Sequence, residues 1–194
     1  MQVAPIVLEG TRVRLEPLRE AHFEALVRAS LGHGLFRYYP YALESEAGLR
    51  AYLEAGLAGR AAGTTLPFVT LERASGAVVG STSFLAIERT HRRLEIGSTW
   101  LVPGAQRTAA NTEAKYMQLR HCFEQLGCNR VEFKTDERNA RSRAALARIG
   151  AQQEGIFRAH MRMPDGHLRN SVWFSVIASD WPEVKRRLEG LLAR

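Results

Sequence analysis

The chain has 194 residues, of which 45% are hydrophobic and 24% are charged, and its formal net charge at pH 7 is +7. This length is typical of one domain with a full hydrophobic core. No apolar run reaches the roughly 18 residues of a membrane span, and the N-terminus lacks a secretory layout, so we expect a soluble cytoplasmic protein. Cys122 and Cys128 are interpreted as packing residues in a reducing compartment. No His, Cys and carboxylate spacing predicts a metal site.

Positive charge is concentrated in one part of the chain. Residues 130–169 contain nine basic and five acidic residues, so +4 of the +7 lies in about a fifth of the sequence. This concentration favours a local anion site over a nucleic-acid surface. Solvated arginine side chains on the surface would give the same composition.

The first part of the chain predicts a strand followed by two helices. Residues 1–10 form a lead-in, and residues 12–16 alternate as a strand that Pro17 ends. Apolar residues at helical spacing indicate a first helix with Phe23, Leu26 and Val27 inward, and a second with Leu49, Tyr52, Leu53 and Leu57 inward. An aromatic loop over residues 33–41 joins the two helices.

Strands and a loop–helix junction follow. Residues 66–72 and 78–87 read as a hairpin, and residues 94–102 as a strand with Ile96, Trp100 and Val102 on one face. After Pro103-Gly104, residues 106–111 lead into a helix whose apolar side is Tyr116, Leu119, Phe123 and Leu126. A loop of small residues before a helix leaves backbone N–H groups free at the positive end of the helix dipole, which suits a phosphate. Asn111 is a plausible N-cap.

A second polar junction follows the strand at residues 131–135. Asn139 can cap a helix that ends at Ile149 and Gly150, and Ser142 falls on its apolar stripe. Asn139 as a simple cap, with Ser142 bonded back to a helix carbonyl, explains this pattern equally well. Two polar junctions beside neighbouring strands favour a binding site.

The last part of the chain predicts a hairpin and a helix. Residues 155–163 and 168–177 pair about a turn at 164–166, and residues 179–182 open a helix with Val184, Leu188 and Leu191 inward. The order of elements predicts a mixed α+β domain.

Several short motifs in this order support a family resemblance. They are Glu95-Ile96-Gly97 before Trp100-Leu101, Gln106 to Asn111 before Thr112-Glu113-Ala114, Asn139-x-x-Ser142 before Arg148-Ile149-Gly150, Glu154-Gly155, and Ser179-Asp180-Trp181-Pro182. With them the chain resembles the GNAT superfamily of N-acetyltransferases, in the branch of ribosomal-protein alanine N-acetyltransferases (RimJ/RimL-like). The resemblance covers residues 10–182, leaving 1–9 as a lead-in and 183–194 as the final helix of the same domain.

The resemblance implies a single GNAT-type domain, with a mixed twisted sheet splayed open at an acyl-CoA site. The pantetheine arm of acetyl-CoA would lie along the strand that ends at Val102, with the pyrophosphate on the loop Gln106–Thr112. The implied cofactor-binding residues are Trp100, Leu101, Val102, Gln106, Arg107, Thr108, Ala109, Ala110, Asn111, Thr112, Asn139, Arg141 and Ser142.

One residue departs from the family's phosphate-loop pattern of Gln/Arg-x-x-Gly-x-Gly/Ala. Gln106 is in place, but Ala109 stands where a glycine belongs, and Asn111 occupies the last position. If that position requires a positive φ, the alanine methyl costs about 1–2 kcal/mol and weakens CoA binding. The N–H donor of Ala109 is retained.

The resemblance also implies direct attack of an amine on the thioester carbonyl. Glu95 is the candidate base for the amine, although an edge-facing charge or a structural salt bridge would also account for it. Ser142 would stabilise or protonate the leaving thiolate, and Asn139 would hold the acyl group or a pantetheine amide. Tyr38, Tyr39 and Tyr41 would line the acceptor pocket, with core packing as the alternative.

The leading functional prediction is an acetyl-CoA-dependent N-acyltransferase that acts on an α-amino group of a peptide or on a small amine. A non-catalytic acyl-CoA-binding module is the alternative that Ala109 favours. A basic RNA- or ribosome-associated protein is ranked last, because the basic segment lacks the interleaved aromatic residues of single-strand binders. No membrane partner is expected, and the acceptor and the oligomeric state, including a homodimer, stay open.

Overall fold

A computed structural model describes all 194 residues as one eight-stranded sheet with helices on both faces. The strands are β1 (Leu8–Glu9), β2 (Val13–Pro17), β3 (Leu66–Glu72), β4 (Val78–Glu88), β5 (Arg93–Leu101), β6 (Arg130–Asp136), β7 (Gln152–Arg162) and β8 (Leu168–Ile177). The helices are α1 (Phe23–Ser30), α2 (Glu46–Ala61), α3 (Ala110–Arg120), α4 (Ala140–Ile149) and α5 (Trp181–Leu192). A π-helical turn, His121–Gln125, continues α3. The predicted mixed α+β architecture is confirmed.

The sheet is antiparallel except at its centre. Its strand order is β1-β2-β3-β4-β5-β6-β8-β7, and only β5 and β6 run parallel. Their pairing stops at Glu95 opposite Glu132, although β5 continues to Leu101 and β6 to Asp136. The two strands therefore separate beyond Glu95. We call the space between residues 96–101 and residues 133–136 the splayed gap.

A β-bulge in β5 explains one wrong expectation. Ser81 pairs with Trp100 and Ser83 with Gly97, so Ser98 and Thr99 together oppose a single residue of β4. Ser98 has a φ of 49°. A bulge reverses the alternation of side chains along a strand. Ile96 consequently packs in the larger core, whereas Trp100 and Val102 pack in the smaller one, so the prediction that all three share a face is wrong.

Two hydrophobic cores cover the two faces of the sheet. The larger core lies under α3, α4 and α5 and includes Phe68, Phe84, Phe133 and Leu119. The smaller core lies under α1 and α2 and includes Leu26 and Leu49 together with Trp100. Both cysteines are free and buried in the larger core, as predicted. No helix has the length and apolar character needed to cross a bilayer.

The N-terminal segment is more ordered than the expected lead-in. Leu8–Glu9 form β1, and Met1, Val3 and Ile6 pack against the larger core. The carboxylate of Glu113 on α3 accepts hydrogen bonds from the backbone N–H groups of residues 11–13, at 2.8–2.9 Å, and from the Thr11 hydroxyl at 2.7 Å. Burial opposes ionisation of Glu113, but these bonds outweigh it and lower the pKa of the carboxyl. A two-residue strand has no periodicity to detect, so the sequence pattern missed it.

Candidate active site

The splayed gap opens into a cavity of about 530 Å³, which is within the usual range for small-molecule sites. Its walls come from the loop at residues 38–41, from β5 and β6, from the loop before α3, and from the first turns of α4. Two further side chains, Met161 and Arg169, close it on the β7–β8 side. The two polar junctions predicted from the sequence therefore meet in one cavity.

The loop before α3 presents several unpaired backbone donors. No backbone or side-chain acceptor pairs with the N–H groups of Arg107, Thr108, Ala109, Asn111 and Thr112. These groups lie at the N-terminal end of α3, where the helix dipole is positive. The side chains of Arg107 and Arg141 are exposed at the same rim of the cavity. The loop therefore has both the donors and the charge to bind phosphate groups.

Hydrogen bonds within the loop hold it in place without using those donors. The Gln106 side chain donates to the Leu101 carbonyl at 2.8 Å and accepts from Arg141 at 2.7 Å. The Thr108 hydroxyl donates to the Ala105 carbonyl at 2.8 Å and accepts from the Ala110 N–H at 3.1 Å. Gln106 thus links the end of β5 to the first turn of α4.

Ala109 carries no backbone strain. Its φ is −72°, so this position does not require the positive φ that would make alanine less stable than glycine. The left-handed conformation falls instead on Arg107, with a φ of 61°. A non-glycine residue in this region costs about 1–2 kcal/mol.

The prediction that Asn111 caps α3 is wrong. The helix begins at Ala110, and its N-cap is Ala109, whose methyl side chain accepts no hydrogen bond; in the first turn only the Ala110 N–H is bonded to a side chain, that of Thr108. Asn111 lines the cavity, and its Oδ1 is buried without a hydrogen-bond partner. The predicted cap is two residues too late in the chain, because the helix start is set by backbone dihedral angles that the residue type of Asn111 does not determine. An uncapped first turn keeps the N–H groups available to a ligand.

Not all of the expected cofactor residues line the cavity. Those that do so are Trp100, Leu101, Gln106, Arg107, Thr108, Asn111, Asn139, Arg141 and Ser142. Those that lie outside its lining are Val102, Ala109, Ala110 and Thr112. The Thr112 hydroxyl is buried and accepts a hydrogen bond from Arg148 at 2.8 Å. The contribution of Ala109 and Thr112 is thus confined to their backbone N–H groups.

Asn139 caps α4 as predicted. Its Oδ1 accepts from the backbone N–H of Ser142 at 3.1 Å. Ser142 lines the cavity. Its hydroxyl makes no hydrogen bond, so the alternative of a bond back to a helix carbonyl is not observed. The hydroxyl is therefore free to donate to a group bound in the gap.

Glu95 is buried at the point where β5 and β6 separate. Its Oε2 accepts a hydrogen bond from the Lys134 ammonium at 2.7 Å. Burial raises the pKa of Glu95, and the charge and hydrogen bond of Lys134 partly oppose that rise. Glu95 therefore forms the salt bridge that the alternative interpretation expects. It also lines the cavity, as a base would have to.

The three tyrosines of the aromatic loop all line the cavity. Tyr39 packs edge-on against Phe36, with ring centroids 5.3 Å apart, and its buried hydroxyl has no partner. Tyr41 is 52% exposed, and its ring lies 5.4 Å from that of Tyr52. Tyr39 therefore packs against the smaller core as well as lining the cavity, whereas Tyr41 lines the cavity without packing in a core.

A second groove meets the cavity beside Tyr41. It lies between α2, β3, β4 and the β7–β8 turn, and it shares Pro40, Tyr41, Leu85 and Ser98 with the cavity. Two molecules could therefore reach the gap from different sides. No group of three or more His, Cys, Asp or Glu side chains is arranged to hold a metal ion.

Several lining side chains were missed by the sequence analysis. They are Lys115, Lys134, Asp136 and Arg169. Lys115 is buried, donates to Thr99 at 2.8 Å, and has its pKa lowered by burial to about 7. Lys134 belongs to the strand predicted at residues 131–135 and Asp136 to the junction predicted after it, but the partners of both depend on sheet register. No periodic signal marks either residue as part of a site.

Comparison with known proteins is consistent across sequence and structure. Residues 12–152 match the family model described as Acetyltransferase (GNAT) domain. A crystal structure described as a "putative acetyltransferase" from T. thermophilus has a TM-score of 0.88 and 40% identity, covering 99% of this chain and 100% of that one. A GCN5-related N-acetyltransferase from Brucella melitensis has a TM-score of 0.89 and 32% identity, covering 98% of this chain and 86% of that one.

One related sequence has a more specific name. The Bacillus subtilis (strain 168) protein named "Putative ribosomal N-acetyltransferase YdaF" is 28% identical over 110 residues. This match spans 57% of the chain and 59% of that protein, so it covers less than two thirds of either.

Proposed function

Because the chain belongs to the GNAT acetyltransferase family and is an N-acetyltransferase, we propose that its splayed gap presents the acetyl group of acetyl-CoA to an α-amino group of a peptide or to a small amine. One observation carries the proposal. A single cavity has unpaired N–H donors at the start of α3 and a buried carboxylate, Glu95, where the strands separate.

The donor half of the site would hold the coenzyme. The free N–H groups of residues 107–109, 111 and 112 would bind the pyrophosphate, with Arg107 and Arg141 adding positive charge. Beyond Glu95, the edge of β5 that faces β6 has no strand partner. Its backbone groups are therefore available to the amides of the pantetheine arm.

The chemistry is a direct acyl transfer. The ammonium form of the acceptor loses a proton, its neutral nitrogen attacks the thioester carbonyl carbon, the C–S bond breaks, and coenzyme A leaves as a thiolate that takes up the second proton of the nitrogen. Glu95 would take the first proton, directly or through water, since burial makes its carboxylate more basic than an ordinary one. The free hydroxyl of Ser142 would donate to the thiolate.

The acceptor is tested by acyl transfer. Mass spectrometry and thiol release would be followed with several acyl-CoAs and with N-terminal peptides, polyamines, free amino acids and aminoglycosides. The name of YdaF adds ribosomal-protein N-terminal peptides to this panel. We expect an acetylated amine and one equivalent of free thiol. CoA binding without thiol release from any acceptor would instead identify a non-catalytic acyl-CoA-binding module.

A further inference from the structure

Arg169 is a buried cation on the same face of the sheet as Glu95 and Lys134. It lies near the start of β8, is 5% exposed, and lines the cavity. In the pairing of β6 with β8, Asp136 lies opposite Ser171 and Lys134 opposite Trp173. Because side chains two residues apart share a face, Arg169 and Ser171 stand on the same side of the sheet, and the Arg169 Nε–Ser171 Oγ hydrogen bond of 3.1 Å agrees.

The guanidinium of Arg169 has no carboxylate partner. Its Nε donates to Ser171 and its Nη1 donates to the Tyr38 carbonyl, each at 3.1 Å, while its Nη2 has no hydrogen bond. The two nearby carboxylates are already paired. Glu95 is bonded to Lys134 at 2.7 Å and Asp136 to Arg138 at 2.8 Å.

The charged groups around Arg169 are therefore unequal in number. Three cations, Lys134, Arg138 and Arg169, stand beside two carboxylates, Glu95 and Asp136, and of these five groups only Arg138 lies outside the lining of the cavity. A buried charge without a counter-charge is costly. Burial lowers the pKa of Arg169, with Asp136 and Glu95 opposing that shift, but a guanidinium stays protonated in proteins.

The observed contacts do not need that charge. The Tyr38 carbonyl and the Ser171 hydroxyl accept ordinary N–H hydrogen bonds, which a neutral amide side chain would also supply. A guanidinium differs from a neutral amide because its positive charge and its parallel N–H groups fit an anion, above all a carboxylate. The contacts within the protein therefore explain neither the free Nη2 group of Arg169 nor its positive charge.

We propose that Arg169 selects acceptors that carry a carboxylate within a few bonds of the reacting amine. This inference rests on the proposed acyl transfer and narrows its acceptor to one chemical class. The acceptor carboxylate would meet Arg169 and neutralise the excess charge, while its amine faces the Glu95 side of the same cavity. Two sources fit this chemistry, a free amino acid and a peptide whose first residues include an acidic side chain.

Matched acceptors that differ only in charge test the proposal. Amino acids would be compared with their primary amides, and peptides with Glu at position 1 or 2 with the same peptides carrying Gln. We expect wild-type kcat/KM to be about 10–100-fold higher for the acid of each pair, as for a charge-assisted hydrogen bond, with the difference mainly in KM. Comparing the two arms distinguishes the free amino acid from the peptide.

The variant Arg169→Gln removes the charge and retains one amide N–H donor group at this position. We expect its ratio of kcat/KM for the acid over the amide to fall to about one. Arg158→Gln, which removes an exposed charge on β7, is the matched control and should keep the preference. Thermal melting and CoA calorimetry would check that each variant is folded.

Three outcomes are distinguishable. A wild-type enzyme that acetylates acid and amide equally, or an Arg169→Gln variant that keeps the preference, overturns the role of Arg169 and leaves acyl transfer standing. Absence of thiol release with every acceptor overturns acyl transfer itself. Should Arg169→Gln fail to fold, equal rates for acid and amide in the wild type still overturn the proposal, and Arg169→Lys, which keeps a positive charge, would be expected to retain part of the preference.

Discussion

Lys134 and Glu95 join β6 to β5 through a 2.7 Å hydrogen bond at the point where the two strands separate. This pair has two opposing effects on the candidate base. The cation favours the ionised carboxylate, which a base requires, but it also occupies one carboxylate oxygen. Burial outweighs the cation and leaves the pKa of Glu95 above its ordinary value. A base and a structural ion pair therefore differ in their effect on the pH dependence of the rate.

Glu95→Gln should slow acyl transfer by about 10²–10⁴-fold near neutral pH, because the amide retains the shape but cannot take a proton. The rate should recover at high pH, where the acceptor amine is already neutral. The measurement is the pH profile of kcat/KM for both proteins, with thermal melting as a check on folding. If Glu95 is only structural, a well-folded variant gives a profile parallel to that of wild type.

Ser142→Ala should lower kcat by about 10–100-fold and leave CoA affinity nearly unchanged, since a donor to the leaving thiolate acts mainly in the transition state. The helix cap survives the substitution because Asn139 accepts from the backbone N–H of residue 142. Ser142→Thr, which retains a hydroxyl, is the companion variant and should keep more activity. An unchanged kcat in Ser142→Ala would exclude the role in leaving-group stabilisation.

Thr108→Asp should weaken CoA binding by at least about tenfold, because it sets a negative charge against the phosphates. Aspartate can still accept from the Ala110 N–H, as Thr108 does at 3.1 Å, but it cannot donate to the Ala105 carbonyl, so thermal melting checks that this variant is folded. Thr108→Ser is the matched control. Ala109→Gly should change affinity by less than about twofold, since the φ of −72° suits alanine. Calorimetry with CoA measures the wild type and the three variants. A Thr108→Asp affinity equal to that of the wild type would place the phosphates elsewhere.

Lys115 should make stability rise with pH. Burial lowers the pKa of this amine from 10.5 to about 7 in the folded state. Between these values unfolding takes up a proton, so the free energy of unfolding should increase by up to about 1.4 kcal/mol per pH unit. Urea unfolding at several pH values between 7 and 10 would show a smaller slope for Lys115→Met than for wild type. Lys185→Met, which removes a lysine at the surface, should keep the wild-type slope, and equal slopes in all three proteins would contradict the shift.

Local patterns in the sequence determined the elements of this fold. The strands at residues 66–72 and 168–177 have the predicted bounds, and Asn139 caps α4 as predicted. Gly150 ends that helix with a φ of 95°, which a side chain would strain. Such features depend on residues within one or two turns of each other, so composition and spacing are sufficient to predict them. The loop–helix junction at residues 106–111 was predicted for the same reason.

Only the tertiary structure decided which charges meet. The bulge at Ser98 depends on the pairing of β5 with β4 and reverses the face of Trp100. Glu95 meets a lysine 39 residues away, and Arg169 meets the Tyr38 carbonyl 131 residues away. Strand register between distant segments is set by the packing of the whole sheet, and a shift of one residue moves each side chain to the opposite face. The periodicity of one strand therefore shows that a charged side chain such as Glu95 falls on a strand that otherwise faces a core. It does not show which residue of another strand pairs with that charge.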